Sequence, residues 1–453
     1  MKPTWTKNFT RRDFLVGTTA ATAFAFNFVP SRVWGANERL RMAGIGVGGK
    51  GSSDIDQAGS LGDVVALCDC DDRSLETKAQ KWPSAKKFHD FREMFDKMGS
   101  GIDAVTISTP DHTHAHAAAE AIIRKIHVYV QKPLTHTPWE ARHLRTLVRK
   151  YGVSTQMGNQ GSAADGLRRG VEAIQAGVIG TVREAHVWTN RPVWPQSPTI
   201  VARPANAMPV PAHIHWEQFI GPSAMRPYHR AYHPFNWRGW WDFGTGALGD
   251  MACHTANLAF RALKLTVPSL VVAQNEALNP ETFPGWATVV YEFPARGNLP
   301  PVTLKWYEGK LPNGDKNLPP MELFHGNNPP GSGSLLVGDK GILYSPNDYG
   351  SQWVLLPEKD FEDWEPPTPT IPRNGRDDLG MKEEWVAAIK GGPAPYADFE
   401  FSCDMTESIL LGNVAMQAGG RIEWDSERLL VKGNPAAQKF IKREYRPGWK
   451  IAG

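Results

Sequence analysis

A chain of 453 residues is long enough for two or three domains of about 150 residues, with a core that needs no disulfide or metal to hold it. Its 50 Lys and Arg against 47 Asp and Glu leave a net charge of +3, with no basic block, which excludes a nucleic-acid or anionic-membrane binder. With 41% hydrophobic and 21% charged residues it is globular rather than disordered. The four cysteines, Cys68, Cys70, Cys253 and Cys403, include no C-x-x-C pair, so neither a zinc knuckle nor a thioredoxin-type site is expected. The 17 tryptophans serve core packing and dimer contacts, and some are candidates to stack on sugar faces.

The first element, residues 1–36, is an address. Thr10-Arg11-Arg12-Asp13-Phe14-Leu15 leads into an Ala- and Thr-rich apolar stretch over 15–29, too short for a stable membrane span. Paired arginines before x-Phe-Leu resemble a twin-arginine (Tat) export signal, which implies a periplasmic protein. Cleavage near Val33-Trp34-Gly35 or Ala36 fits, although neither is a clean A-x-A. That route moves folded chains, so a cofactor would be loaded before export.

From residue 40 strands and helices alternate. Strands are predicted over 40–45, 63–68, 102–108, 127–130 and 153–157, and helices from the end of the glycine cluster 46–51 to about 59, over 114–124 and over 138–151. This alternation predicts a doubly wound parallel sheet over 37–160. Gly46, Gly48 and Gly51 follow the first strand in G-x-G-x-x-G register: one for the tight turn, one for approach to a pyrophosphate, one for helix–strand packing. Gly44, Gly46 and Gly49 fit the same pattern but break the strand. Asp69 ends the second strand, where its carboxylate can accept bonds from both adenosine ribose hydroxyls. The prediction is a dinucleotide site preferring NAD(H), since a 2′-phosphate would meet that charge; Arg73, if turned inward, would admit NADP(H).

Thr109-Pro110-Asp111-His112-Thr113-His114 follows one strand and Gln131-Lys132-Pro133 the next. Gly158-Asn159-Gln160, Arg191-Pro192-Val193-Trp194-Pro195-Gln196, Gly246-Ala247-Leu248-Gly249-Asp250-Met251-Ala252-Cys253-His254 and the stretch from Leu411-Gly412-Asn413 to Ile422-Glu423-Trp424-Asp425 come later. Together these resemble the Gfo/Idh/MocA oxidoreductases, named for glucose–fructose oxidoreductase and inositol 2-dehydrogenase, over nearly the whole chain after the signal. The resemblance implies a Rossmann domain followed, over 161–453, by an α/β domain with a large, mostly antiparallel sheet that often forms oligomer contacts, hence a homo-dimer or tetramer. It maps the active-site lysine of the family's E-K-P motif onto Lys132, and the polar groups of D-x-x-x-H onto Asp250 and His254. Gln131 replaces the common Glu, and Asn257 stands where many members have Asp; both departures remove local negative charge.

Oxidising an alcohol requires that the hydroxyl proton leave, that the alkoxide be stabilised, and that the carbon face the nicotinamide. Asp250 and His254 share a helix face at i, i+4. His254 is the candidate base, Asp250 orients a hydroxyl or the imidazole, and Lys132, after a parallel strand, bonds the reacting oxygen. Thr109, Pro110, His112 and Gln131 are expected beside the cofactor. Asn159, Gln160, Arg191 and Trp194 are candidates for substrate contact. His112, His114 and His116 alternate after a strand; they are expected to cap the next helix and line the nicotinamide pocket rather than bind metal, and no metal site is expected.

In the second half, strands are expected over 182–189, 287–293 and 302–307, helices over 380–389 and 402–417, and an extended loop over 311–333. The Pro-, His- and Trp-rich stretch 191–241 is predicted to form long loops over the site. The expected function is an exported NAD(P)-dependent oxidoreductase acting on a sugar, polyol or glycoside hydroxyl, with tightly bound, internally recycled cofactor. The rivals are an NAD-dependent glycosidase working through transient ring oxidation and a non-catalytic sugar- or nucleotide-binding protein.

Overall fold

The computed structural model describes residues 39–453; the export signal expected over 1–36 lies outside the described residues. Strand β1 (Leu40–Ile45) runs into α1 (Gly49–Leu61), followed by β2 (Gly62–Cys68), α2 (Asp72–Lys81), β3 (Lys86–Phe88), α3 (Phe91–Met98), β4 (Ala104–Ile107), α4 (Asp111–Ile123), β5 (His127–Gln131), α5 (Pro138–Tyr151) and β6 (Thr155–Gly158). The six strands form one parallel sheet in the order β3-β2-β1-β4-β5-β6. The order reverses between β1 and β4, the switch point at which such sheets bind ligands beyond their carboxyl ends. β4 is wholly buried and β5 nearly so, as strands covered on both faces must be. Thr137 and Glu140 close a capping box at the start of α5, and Gly152 ends it in the left-handed region at φ 68°.

The second half begins with α6 (Asp165–Gln175) and β7 (Val182–Thr189), then α7 (Trp216–Ile220), α8 (Gly246–Thr255), α9 (Asn257–Ala262), β8 (Leu270–Asn275), β9 (Trp286–Phe293), β10 (Val302–Gly309), β11 (Gly333–Gly338), β12 (Ile342–Ser345) and β13 (Val354–Leu356). After α10 (Asp377–Ile389) and α11 (Phe399–Gln417), β14 (Arg421–Asp425) and β15 (Leu430–Val431) complete a nine-stranded sheet ordered β13-β12-β11-β7-β10-β9-β8-β14-β15. Only β7 and β10 pair in parallel, so the sheet is mostly antiparallel. β9 alternates buried and half-buried residues along its length, the mark of a sheet packed on one face.

The two halves share a core. α11 packs against α5, α8 and β8, and its Phe399, Met405 and Leu411 belong to a buried cluster that reaches Val128 in one sheet and Leu336 in the other. Met157 N–H donates to the Ala397 carbonyl at 2.8 Å, so the chain returns to the parallel sheet after building the mixed one. Residues 191–241 do more than loop: Ile214, Trp216, Phe219, Tyr228, Tyr232, Trp237 and Trp240, with Phe243, form a buried cluster of their own. Among the described residues no helix is long and apolar enough to cross a membrane.

Candidate active site

A cavity of about 490 Å³ opens at the carboxyl edge of the parallel sheet, within the size range of cofactor sites. Its wall includes Gly46, Gly48, Asp69, Thr109, Pro110, Gln131, Lys132, Gln160 and Asp250. Gly46 sits at φ +73°, and an added Cβ there would lie 2.8 Å from the Ser108 carbonyl carbon. A Cβ on Gly48 would come within 2.5 Å of Ser74 Oγ, and one on Gly51 would overlap the Gly46 carbonyl oxygen. Gly51 therefore serves helix–strand packing and is absent from the cavity wall, whereas Gly48 and Gly49 form it where α1 begins. Gly44 lies inside β1 against Val47 and Ile55, so the turn uses the register Gly46, Gly48, Gly51. Bare backbone at the start of a 13-residue helix is the environment that a pyrophosphate requires, and the residues fit a dinucleotide.

Asp69 leaves β2 beside this turn. Its Oδ2 accepts from Val47 N–H (2.7 Å) and Gly48 N–H (3.2 Å), and Oδ1 from Asp71 N–H (2.9 Å). Burial raises its pKa above the usual carboxylate value, against the pull of these donors. Arg73 is exposed and is not part of the cavity wall.

Lys132 Nζ donates to Asp250 Oδ1 at 2.8 Å and to the Asp250 carbonyl at 2.9 Å. Arg238 Nε lies 3.7 Å from the same Oδ1. Burial alone would discharge both partners, but their attraction wins: Lys132 is raised and Asp250 lowered from their ordinary pKa values, so both are charged. One turn along α8, His254 is buried outside the cavity wall, and Nδ1 is 2.8 Å from Asn159 Oδ1. The Asn159 amide donates from Nδ2 to the Cys253 carbonyl at 2.7 Å, so its oxygen faces the imidazole and accepts from Nδ1–H. The lone pair of His254 is then on Nε2. Burial, followed by the nearby Lys132 charge, lowers the His254 pKa well below normal and keeps the ring neutral.

Asp111, the first residue of α4, is the site residue that spacing alone does not reveal. It lines the cavity and accepts from Thr245 Oγ1 at 2.7 Å. Burial raises its pKa to about 7, with the Asp250 charge adding to the effect. The only sequence signal is an acid opening a helix directly after a parallel strand.

Gln131 is explained by a neighbour that is distant in sequence. Its Nε2 donates to Asp54 Oδ2 at 2.8 Å, which also accepts from Ser108 Oγ at 2.9 Å. Asp54 Oδ1 pairs with Lys50 (2.7 Å) and with fully buried Lys382 (2.8 Å), and Asp378 pairs with both lysines. An ionised Glu at 131 could not donate to Asp54, whereas the amide donates at any pH.

Several expected residues fall elsewhere. His112 does not line the cavity. α4 begins at Asp111 rather than 114, which draws His112, His114 and His116 inside a buried helix. His112 Nδ1 lies 3.2 Å from the Phe243 carbonyl and Nε2 2.8 Å from the Phe219 carbonyl, and burial lowers its pKa to about 3, so the neutral ring donates to one of the two. His114 sits between the Pro133 and Thr109 carbonyls, 2.8 Å from each, so it holds the loop after β5 against the start of α4 rather than capping. Trp194 is buried, donates to Gln196 Oε1 at 2.7 Å and lines a separate groove; Arg191 is also outside the cavity wall and bonds Asn190. Asn257 is buried between Ser162 Oγ (3.1 Å) and Arg261 Nε (3.0 Å), a structural position.

Residues 40–159 match the model of an oxidoreductase family described as an NAD-binding Rossmann fold, and residues 194–295 match that family's C-terminal alpha/beta domain. No curated protein matches the chain. Solved structures of this fold include the WlbA dehydrogenase of Bordetella pertussis in complex with NADH and UDP-GlcNAcA, 16% identical, covering 86% of this chain and 99% of that one at a TM-score of 0.59. The aldose–aldose oxidoreductase of Caulobacter crescentus, complexed with glycerol, is 15% identical, covering 85% and 100%, with a TM-score of 0.57. GenD2 from gentamicin A biosynthesis, in complex with NAD, is 17% identical, covering 87% and 99%, with a TM-score of 0.58. At these identities the likeness establishes the fold.

Proposed function

The chain belongs to the Gfo/Idh/MocA oxidoreductase family, and from that premise we propose that it oxidises a hydroxyl of a sugar, polyol or glycoside with an NAD that stays bound and is recycled within each cycle. The observation that carries the reading is the Lys132–Asp250 ion pair in the wall of the same cavity as the glycine turn. UDP-GlcNAcA in one solved relative, and the aldose chemistry in the name of another, support carbohydrate as the substrate class.

Bound NAD supplies the hydride acceptor. Lys132 Nζ, held as an ammonium by Asp250, donates to the reacting oxygen and stabilises the charge that develops on it. His254 is the base: with Nδ1–H committed to Asn159, it takes the hydroxyl proton on Nε2, through one water because it stands behind the cavity wall. Asp69 takes the adenosine ribose. The export segment 1–36 would place the enzyme in the periplasm, where no NAD pool is available for exchange, hence the retained cofactor. A homo-oligomer built on the mixed sheet belongs to the same proposal.

Asp111 favours a second reading. Two carboxyls share the cavity, one held ionised and the other with a pKa of about 7, the division of labour an acid–base pair needs. An NAD-dependent glycosidase that oxidises a ring carbon, eliminates the aglycone, adds water and returns the hydride would use both.

The test is to denature the purified protein, assay the supernatant for nucleotide, and then incubate the native protein with free sugars and aryl glycosides. Stoichiometric NAD with oxidation of one sugar and reduction of another supports the oxidoreductase. Aglycone release without net NADH moves the assignment to the glycosidase. Protein that emerges empty and binds NAD only at high micromolar levels refutes retention. Lys132→Ala and His254→Ala should each lower kcat by about 10²-fold or more.

A further inference from the structure

Asp72, His89 and His215 meet at the mouth of the nucleotide cavity, and none of them enters the chemistry above. Asp72 opens α2, three residues beyond Asp69; His89 follows β3 and lines the cavity; His215, just before α7, comes from the cover segment 191–241, whose His233, Phe235, Trp237 and Arg238 also line the cavity. His215 Nε2 is 3.1 Å from Asp72 Oδ1 and His89 Nε2 is 3.5 Å from the same oxygen, and one ligand atom from each residue lies within 4.8 Å of the others. We propose that these three side chains bind a divalent transition-metal ion of the Zn²⁺ type, which clips the cover segment to the Rossmann edge and slows nucleotide release.

Three observations carry this. First, the main chain brings the ligands together without an ion: Asp72 N–H donates to the His213 carbonyl at 2.9 Å, and His215 N–H to the Cys70 carbonyl at 2.8 Å. Second, His89 Nδ1 is 3.1 Å from the Asp69 carbonyl, an acceptor, so Nδ1 is the donor and Nε2 is the nitrogen that remains for a ligand. His89 Nε2 faces the same Asp72 oxygen that His215 Nε2 meets, at 3.5 and 3.1 Å. Third, the two separations to Asp72 Oδ1, 3.1 and 3.5 Å, match: a tetrahedral ion with bonds of about 2.0–2.1 Å puts its ligands about 3.3 Å apart. Two imidazoles and a carboxylate suit Zn²⁺ and its first-row neighbours rather than Mg²⁺ or Ca²⁺, and leave a fourth position for water. The rings now stack at 3.6 Å and 17°. His89 is anchored by its carbonyl, so His215, about one-third exposed, is the ring that turns to converge on the ion.

The consequence follows from position. His89 belongs to the cavity wall and His215 to the cover, so an ion between them ties shut the path by which a nucleotide would leave. Linkage makes the effect reciprocal: whatever factor the ion adds to NAD affinity, NAD adds to ion affinity. This part rests on the retained-cofactor reading, whereas ion binding itself does not.

The test titrates Co²⁺ into the full chain after EDTA treatment and follows its visible absorption, then measures NAD release by fluorescence with and without Zn²⁺. One equivalent should give a tetrahedral-type spectrum, lost in both His215→Ala and Asp72→Asn. Zn²⁺ should slow NAD release about ten-fold, within the usual range of such couplings, with reversal by EDTA and no effect in His215→Ala. A spectrum absent from the parent protein, or one that survives His215→Ala, overturns the site. A genuine site with unchanged release overturns the clip and leaves the nucleotide assignment intact.

Discussion

Asp250→Asn should damage this protein more than Lys132→Met, although the two substitutions break the same ion pair. At 2.8 Å and an effective dielectric constant of about 20, the gross attraction is about 6 kcal/mol. Most of that repays desolvation, and removing one partner of a buried pair costs about 3–5 kcal/mol. The partners are not equally insured. In Lys132→Met the Asp250 carboxylate keeps Arg238 at 3.7 Å. In Asp250→Asn the ammonium keeps the residue-250 carbonyl and faces Asp111, whose raised pKa leaves it protonated below about 7. We expect a loss of about 3–5 kcal/mol for Asp250→Asn, and about 1–2 kcal/mol less for Lys132→Met. The double variant should fall short of the sum of the singles by about 2 kcal/mol, as contacting residues do. Urea unfolding midpoints of the nucleotide-free protein at unchanged slope supply these differences. The pair itself does not titrate near neutrality, and the cycle is run below pH 7, where Asp111 is protonated. Asp250, lowered, stabilises above its unfolded value of 3.8 and loses that contribution only in acid; Lys132, raised, stabilises below 10.5 and loses it only in strong base. Additive singles, or equal losses in both, would refute the reasoning.

Three further outcomes follow from the same geometry. Asp111 has a folded pKa of about 7 against 3.8 in the unfolded chain, so its contribution to stability is full below about pH 4 and is lost as pH rises to about 7; Asp111→Asn, which can still accept from Thr245, should gain stability relative to the parent across that window and erase the kcat/KM limb near pH 7, and an identical limb in the variant would sink the assignment. Gln131→Glu sets a carboxylate against Asp54, so it should destabilise by about 1–3 kcal/mol at pH 8, with recovery on lowering the pH or in combination with Asp54→Asn; no rescue by either means that the amide is not the partner Asp54 needs. Apoprotein should bind NAD⁺ more tightly than NADP⁺ because the Asp69 carboxylate lines the cavity at the end of β2 and Arg73 is exposed, and the reverse order in a calorimetric titration would remove Asp69 from its proposed ribose role.

The nucleotide half was legible because its signals are local. A glycine turn after a strand and an acid at the end of the next strand are consequences of one βαβ unit, and spacing reports them directly. Three-residue β3 escaped, since Lys86-Lys87-Phe88 has no periodicity to display. The start of α4 was misplaced because Pro110-Asp111 reads as a turn, whereas Pro110 here precedes the helix and Asp111 occupies its first turn. That shift of three residues carried His112 from the expected cofactor wall into a helix interior, where its two nitrogens face the Phe243 and Phe219 carbonyls.

What the sequence hid is what long-range packing creates. Lys382 meets Asp54 across 328 positions (382 − 54), and only the return of α10 to the parallel sheet brings them together. Without that return Gln131 looks like a lost charge beside the nicotinamide. With it, the missing carboxylate of the usual motif is replaced by one delivered from α1, already neutralised by Lys50 and Lys382 and bonded to the amide of Gln131. The charge has moved back from the strand end into a balanced cluster, so Lys132 depends on Asp250 alone for a partner within 3 Å. A motif read one residue at a time therefore overstates the departure at 131 and understates the burden on Asp250, the residue whose loss should be felt most.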